Sequence, residues 1–458
     1  MLSKLKLNQL YLRDTQFANL MTKRIFNVLL VANPYDAFML EDDGRIEEKI
    51  FIEYMNLSLR YPPRFTQVST IEEAWKQLEH TSFELVICMP GSDSSEPFDI
   101  ARAIKEHYPH IPLVVLTPFS HGIRKRMEHE DLSIFFYFFC WLGNTDLLVS
   151  IIKLIEDKMN LENDIQEVGV QMILLVEDSI RFYSSVLPNL YKFVLRQSQE
   201  FATEALNEHQ RTLRMRGRSK IVLARSYEEA IELFEKYQKN VLGVITDARF
   251  PRNGAVDSMA GIKLMDEIRK RDPFVPLILQ SSEVQNRVYA SRYEASFIDK
   301  NSKKMNIDLR EAVSAHFGFG DFIFRNPHTM EEVARVHNLK ELQNVIFAIP
   351  NESFLYHITH NHISRWLYSR AIFPVAEFLK QITWESLQDV DAHRRIIFEA
   401  IVKYRKMKNQ GVVAVFLRDR FDRYSNFARI GEGSLGGKGR GLAFIDNMVK
   451  RHPEFDEF

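Results

Sequence analysis

The sequence predicts two doubly wound α/β units in tandem, followed by a helical connector. Short apolar, β-prone runs alternate with amphipathic stretches, five such runs within residues 26–142 and five within 172–299. The runs are nearly continuous in Val, Ile, Leu and Phe, the pattern of parallel strands buried on both faces. In the second series, ILLVEDS, VITDARF, LILQSSE and FIDKN each close an apolar run with polar groups, which a parallel sheet delivers to its carboxyl edge.

Residues 1–24 read as a lead-in without the apolar stretch of a signal peptide. The first unit, 25–158, takes its strands from FNVLLVA, RFTQVS, FELVICM, PLVVLTP and IFFYFFCWL, with helices expected at 70–80 and 97–108. Leu148, Ile151, Ile152, Ile155, Met159 and Ile165 follow helical spacing over 146–168. The first half of that helix is expected on its own sheet, and 159–171 as a linking or dimer-forming extension. The second unit, 172–318, has strands expected at 172–176, 220–224, 241–246, 276–280 and 296–299. Helices are expected at 226–238, with Ser226 as N-cap, and at 260–271 and 303–315. Between its first two strands, 179–219 replaces a single helix and is expected to project as one or two long helices. A helical connector, 325–410, contains helices at 352–383 and 391–408. GVVAVFL then gives a strand before a glycine-rich run.

At 458 residues the chain exceeds one ordinary core, and 60 basic against 61 acidic residues leave a formal charge of −1. That balance favours neither nucleic acid nor an anionic membrane as partner, and no recognisable helix-turn-helix follows residue 320. No segment reaches the length of a membrane span, so the expected location is cytoplasmic. Cys88 and Cys140, each inside an apolar run, read as small buried hydrophobes. The basic run Arg211, Arg214, Arg216, Arg218 and Lys220 reads as a solvated connector, with a phosphate- or partner-binding patch as the other reading.

Phosphoryl transfer to a carboxylate needs a nucleophilic oxygen, a divalent cation for the donor's oxygens, and fixed groups for the developing charge. Glu177 and Asp178 suit Mg²⁺, which takes oxygen ligands. Asp247 can both ligate and present a nucleophilic oxygen, and Ser281 and Lys300 can hold the acquired phosphoryl group. This set, matched in order across 172–318, resembles the receiver domain of two-component response regulators, a flavodoxin-like fold. The resemblance implies Asp247 as phosphoacceptor and Glu177 and Asp178 as Mg²⁺ ligands, with the backbone carbonyl of Arg249 as a further one. It also implies Ser281 as switch hydroxyl, Lys300 as phosphate-pairing lysine and Phe297 as an aromatic rotamer switch. Asn301 stands where a cis-proline commonly follows the lysine.

The first unit lacks these groups. Its first strand ends in Ala32-Asn33, its third in Cys88-Met89-Pro90; Thr117 remains, but Phe139, Cys140 and Trp141 occupy the lysine region. It reads as a degenerate receiver serving as an interaction or dimerisation surface.

At the C-terminus, GEGSLGGKGRGLAF is a glycine-rich loop leading into a helix, a form that lets backbone amides approach phosphate. It is not a P-loop, because Glu432 and Gly439 replace required residues. The run FARIGEGSLGGKGRGLAF resembles the opening of the ATP-grasp domain of phosphoenolpyruvate synthase and pyruvate phosphate dikinase relatives. ESFLYHITHNHISRWLYSRAIFPVAEFL resembles the helical segment preceding it. The resemblance implies ATP as cofactor at Gly436, Gly437 and Lys438. Residues 411–458 supply only the start of that domain, which implies that the chain is a piece of a larger protein. His357, His360 and His362 read as helix-surface and interface histidines, with His362 directed away from the other two.

The function expected is that of a phosphorelay regulatory region. A histidine kinase or phosphotransfer protein would phosphorylate Asp247, and a C-terminal PEP/pyruvate phosphotransferase module would be the target. A homodimer is among the expected assemblies. The alternative is a stand-alone tandem-receiver adaptor with a helical protein-binding output.

Overall fold

The computed structural model describes residues 15–41, 46–57, 59–90, 96–117, 133–202, 208–382, 389–409, 413–416, 423–424, 427–431, 433 and 435–451. The first unit has strands β1 (Asn27–Ala32), β2 (Arg64–Val68), β3 (Leu85–Met89), β4 (Leu113–Thr117) and β5 (Tyr137–Cys140). Its helices are α1 (Pro34–Glu41), α2 (Ile46–Asn56), α3 (Ile71–His80), α4 (Glu96–His107) and α5 (Asp146–Val168). All strand pairings are parallel, in the order β2-β1-β3-β4-β5.

The second unit repeats this plan. β6 (Met172–Val176), β7 (Lys220–Ala224), β8 (Val241–Asp247), β11 (Leu277–Ser281) and β12 (Ser296–Asp299) form a parallel sheet in the order β12-β11-β8-β6-β7. A hairpin of β9 (Phe250–Arg252) and β10 (Ala255–Asp257) follows the central strand, unannounced by the sequence pattern. The helices are α6 (Ile180–Ala202), α7 (Glu208–Arg214), α8 (Tyr227–Tyr237), α9 (Ala260–Arg271), α10 (Arg287–Arg292) and α11 (Met305–His316). Ser226 caps α8 by accepting from the Glu229 N–H, as its sequence position predicts.

Both units are therefore doubly wound α/β sheets, and they share a core. One continuous apolar cluster joins one face of the first sheet (Val28, Leu30, Ile87, Leu116) to one face of the second (Ile173, Leu175, Ile245, Ile278). α5 and α6 pack between them. Each sheet's other face has a core of its own.

That arrangement corrects two expectations. The 179–219 segment does not project. α6 buries Tyr183, Val186, Leu187, Leu190, Tyr191, Val194 and Leu195 in the shared core; residues 203–207 lie outside the described set. α5 runs as one helix through 168, as the spacing over 146–168 predicts, and it buries acids as well as apolar groups: Glu156, Asp157 and Asp164. The basic run is not solvated either. Arg214, Arg218 and Lys220 are buried; Arg218 pairs with Asp157 and Lys220 with Asp164, at 2.6 and 2.7 Å. Apolar periodicity identified the helices but did not register what would bury them.

After residue 320 come the antiparallel pair β13 (Phe322–Arg325) and β14 (Glu332–Val336), then α12 (Leu339–Val345), α13 (Asn351–Thr359), α14 (His362–Ser369), α15 (Phe373–Lys380) and α16 (Val390–Asn409). The single helix expected over 352–383 is thus three. Asn361 and Ala371 adopt left-handed φ of 56° and 54° at the breaks, and Pro374 starts α15. The first break redirects the chain, so His362 is not directed away: its Nδ1 lies 2.9 Å from His357 Nδ1. Beyond lie the parallel pair β15 (Val413–Val415) and β16 (Phe427–Arg429) and helix α17 (Gly437–Arg451). Among the described residues no helix is long and apolar enough to cross a membrane. Cys88 and Cys140 are buried and unpaired with each other, as small hydrophobes.

Candidate functional site

The carboxyl edge of the second sheet is stitched by backbone hydrogen bonds that set its residues side by side. Glu177 N–H donates to the Ala224 carbonyl, Ala248 N–H to that of Gln280, and Lys300 N–H to that of Ser281. The strand order reverses between β6 and β8, the switch point at which open α/β sheets bind ligands. Glu177 and Asp178 leave β6 there, and Asp247 ends β8 beside them.

Ligand oxygens of Glu177, Asp178 and Asp247 all lie within 4.8 Å of one another. The Lys300 ammonium bridges two of these acids, 2.6 Å from Glu177 Oε2 and 2.8 Å from Asp247 Oδ2. Its other face rests on the Phe182 ring, 3.9 Å from the centroid. Asp247 Oδ1 accepts from its neighbour's N–H, Ala248, at 2.7 Å, and Glu177 Oε1 from Ser179 N–H at 3.1 Å. Ser281 Oγ accepts from Asn286 Nδ2 and from Glu283 N–H, which fixes its position and leaves its own proton to donate.

Glu177 is fully buried, and burial pushes its carboxyl up to about 8. The Lys300 ammonium pulls it down and Asp247 pushes it further up. Three converging carboxylates in a half-enclosed place repel one another and call for positive charge. A hard divalent cation with oxygen ligands fits this donor set, Mg²⁺ above all.

The five positions the sequence predicts therefore do converge. Arg249 lines the same cavity of about 900 Å³, and Asn301 closes the lysine loop without a cis peptide, its side chain donating to the Ser282 carbonyl at 3.0 Å. Phe297 sits opposite Leu279 on β11, packed in the second unit's separate core with the Arg287 guanidinium 5.1 Å from its ring. Gly436, Gly437 and Lys438 do not line this cavity; Gly437 begins α17, and Glu432 lies outside the described residues.

Two contributors were missed. Phe182, in the first turn of α6, supports the lysine. Arg225, directly after β7, lines the cavity as well. The strand-end rule that finds Asp247 would have found Arg225; nothing in the sequence announces Phe182. The first unit also takes part, since Phe138 of β5 forms one wall.

No family model matches the chain, and no curated protein does. Among solved structures it is similar to a response regulator receiver domain protein from Clostridium thermocellum, 19% identical, covering 32% of this chain and 94% of that one at a TM-score of 0.23. Two two-component system response regulator/GGDEF domain proteins are 14% and 15% identical. They cover 63% and 64% of this chain and 98% and 97% of their own, each at a TM-score of 0.27. At this level the site's own geometry, not the likeness, defines its chemistry.

Proposed function

We propose that residues 172–318 act as a receiver-type phosphoacceptor in a two-component phosphorelay, with Asp247 as the phosphorylated residue. The observation that carries this reading is the Lys300 ammonium held between Glu177 and Asp247 at the sheet's switch point, with Asp178 beside them.

The chemistry follows from the arrangement. A carboxylate oxygen of Asp247 attacks the donor's phosphorus; the bond to the donor's nitrogen or oxygen breaks, and its electron pair leaves with the donor. Lys300 neutralises charge on the transferred group, and the Ser281 hydroxyl donates to one of its oxygens. Mg²⁺, held by Glu177, Asp178, Asp247 and the Arg249 carbonyl, would supply charge neutralisation of the phosphoryl oxygens. Each role draws Lys300 away from Glu177, and Phe182 follows it at the head of α6. The neighbouring Tyr183 and Ser184 hold β5 of the first unit, so α6 is the proposed path of the signal. Ser281 and Phe297 would bias the β11–β12 surface in parallel.

A histidine kinase or phosphotransfer protein would be the donor, in the cytoplasm. The target is an ATP-dependent PEP/pyruvate phosphotransferase module, supported by the glycine-rich loop and helix α17; a tandem-receiver adaptor with α12–α16 as its binding output is the second reading.

Incubation with Mg²⁺ and phosphoramidate, followed by mass spectrometry, tests the proposal. One added phosphoryl group in the wild type and none in Asp247→Ala is expected. Unchanged labelling of Asp247→Ala, or no labelling of the wild type, would overturn it.

A further inference from the structure

Arg225 stands at the same sheet edge as the phosphoacceptor but on its far side. Ala224 of β7 and Thr246 of β8 both pair with Val176 of β6, so Arg225 and Asp247 flank Glu177 from opposite strands. Two strand spacings place their backbones about 10 Å apart. A phosphoryl group bound to Asp247, Ser281 and Lys300 is therefore out of register with Arg225, which needs its own explanation.

The Arg225 guanidinium lies over the Tyr137 ring, 5.5 Å from its centroid. Nε is buried without a hydrogen-bond partner, and among the described residues no ion pair joins this side chain. The nearby Glu229 carboxylate accepts the Arg225 backbone N–H at 2.8 Å. Buried donors are ordinarily satisfied, so a guanidinium on a cavity wall with an orphaned Nε and no ion-pair partner among the described residues points to a ligand acceptor. Arg181 and Arg249, both exposed, line the same cavity, again without an ion-pair partner among the described residues. At about 900 Å³ the cavity has the size of a small-molecule site.

We propose that this cavity contains a second anion subsite, built on Arg225 with Arg181, that takes the remote phosphate or carboxylate of a small phosphodonor. Donors with two anionic ends are then used in preference to donors with one. The inference rests on the phosphoacceptor reading of Asp247. In the transfer, the new bond joins phosphorus to the Asp247 oxygen and the old bond to the donor oxygen breaks. The electron pair leaves on the donor, whose remote anion stays on Arg225 until it departs.

Stable probes test the subsite apart from the transfer. Hexane-bisphosphonate, with a phosphonate at each end of six carbons, is compared with hexylphosphonate by calorimetry on the full chain in Mg²⁺. The wild type should bind the doubly charged probe at least about tenfold more tightly. Arg225→Gln should abolish most of that advantage, and Arg225→Lys should keep part of it. Should Arg225→Gln fail to fold by circular dichroism, Arg181→Gln on the exposed start of α6 gives the same readout. Equal affinities in the wild type, binding of neither probe, or an advantage retained in both glutamine variants overturns the proposal. Phosphoramidate labelling separates the two claims. Labelling with equal probe affinities strikes the subsite alone; a strong probe advantage without labelling strikes the phosphoacceptor reading.

Discussion

The Asp157 carboxylate, at the middle of α5, accepts two hydrogen bonds from the Arg218 guanidinium, at 2.6 and 2.9 Å. Tyr191 Oη and Ile221 N–H also donate to it, at 2.9 and 3.0 Å. α5 completes the first unit, whereas every one of these donors belongs to the second. The seam between the units thus holds a buried, hydrogen-bonded charge network in an otherwise apolar layer.

Removing the acid leaves a buried guanidinium uncompensated. Asp157→Ala should cost about 3–5 kcal/mol, read as a fall in the urea midpoint. Lys236→Ala breaks a pair with Glu162 at 3.4 Å in which both side chains are more than half exposed, and should leave the urea midpoint nearly unchanged. Similar losses in the two variants would refute the network's role.

The edge of the first sheet is closed by the second unit. Among the described residues β5 pairs with β4 alone, so its outer groups need partners. Tyr183 Oη donates to the Phe138 carbonyl, and Ser184 Oγ accepts from Cys140 N–H at 2.9 Å. The double variant Tyr183→Phe, Ser184→Ala should lose about 1–3 kcal/mol and expose a pairing edge. Faster amide exchange at Phe138–Cys140 is expected, with concentration-dependent association by light scattering. Unaltered exchange would refute the edge-covering role.

Gly261 lies against the end of β8, at Asp247. A Cβ there would stand 1.9 Å from the Asp247 carbonyl oxygen, and the neighbouring atoms are backbone that cannot swing aside. Gly261→Ala should therefore displace the end of β8 and slow phosphoramidate labelling at least tenfold, at a modest cost in melting temperature. Labelling at the wild-type rate would show that the strand end tolerates the shift.

His357 gives the chain an acid limit. Its Nε2 accepts the Arg325 N–H at 2.9 Å, so its proton sits on Nδ1 and points to His362. Burial first, then the nearby His360 and Arg325 charges, hold His357 down at about 4, and burial holds His362 well below its usual value. A depressed folded value means that the unfolded chain binds more protons below pH 6.5. Stability is then full above that pH and falls as pH drops toward 4, by about 3 kcal/mol for His357. His357→Gln should flatten the urea midpoint between pH 6.5 and 4.5. A slope as steep as the wild type's would rule out this histidine as its source.

Much of the site was legible because a residue following a buried parallel strand can only emerge at the carboxyl edge. Glu177, Asp178, Asp247, Ser281 and Lys300 all obey that rule. Arg225 obeys it too, in the position directly before the Ser226 helix cap. Phe182 obeys no such rule: it reaches Lys300 because α6 starts directly over the site.

The sequence by itself determined the two α/β units, their strands and the convergence of five chemical groups, since each depends on local periodicity and chain direction. Only the tertiary structure decided where the charges of 214–220 go, how α6 is buried and that His357 meets His362. Those outcomes depend on elements far apart in the chain: Asp157 and Arg218 are 61 residues apart. Periodicity says which face of a helix seeks cover. It does not say which distant element supplies it.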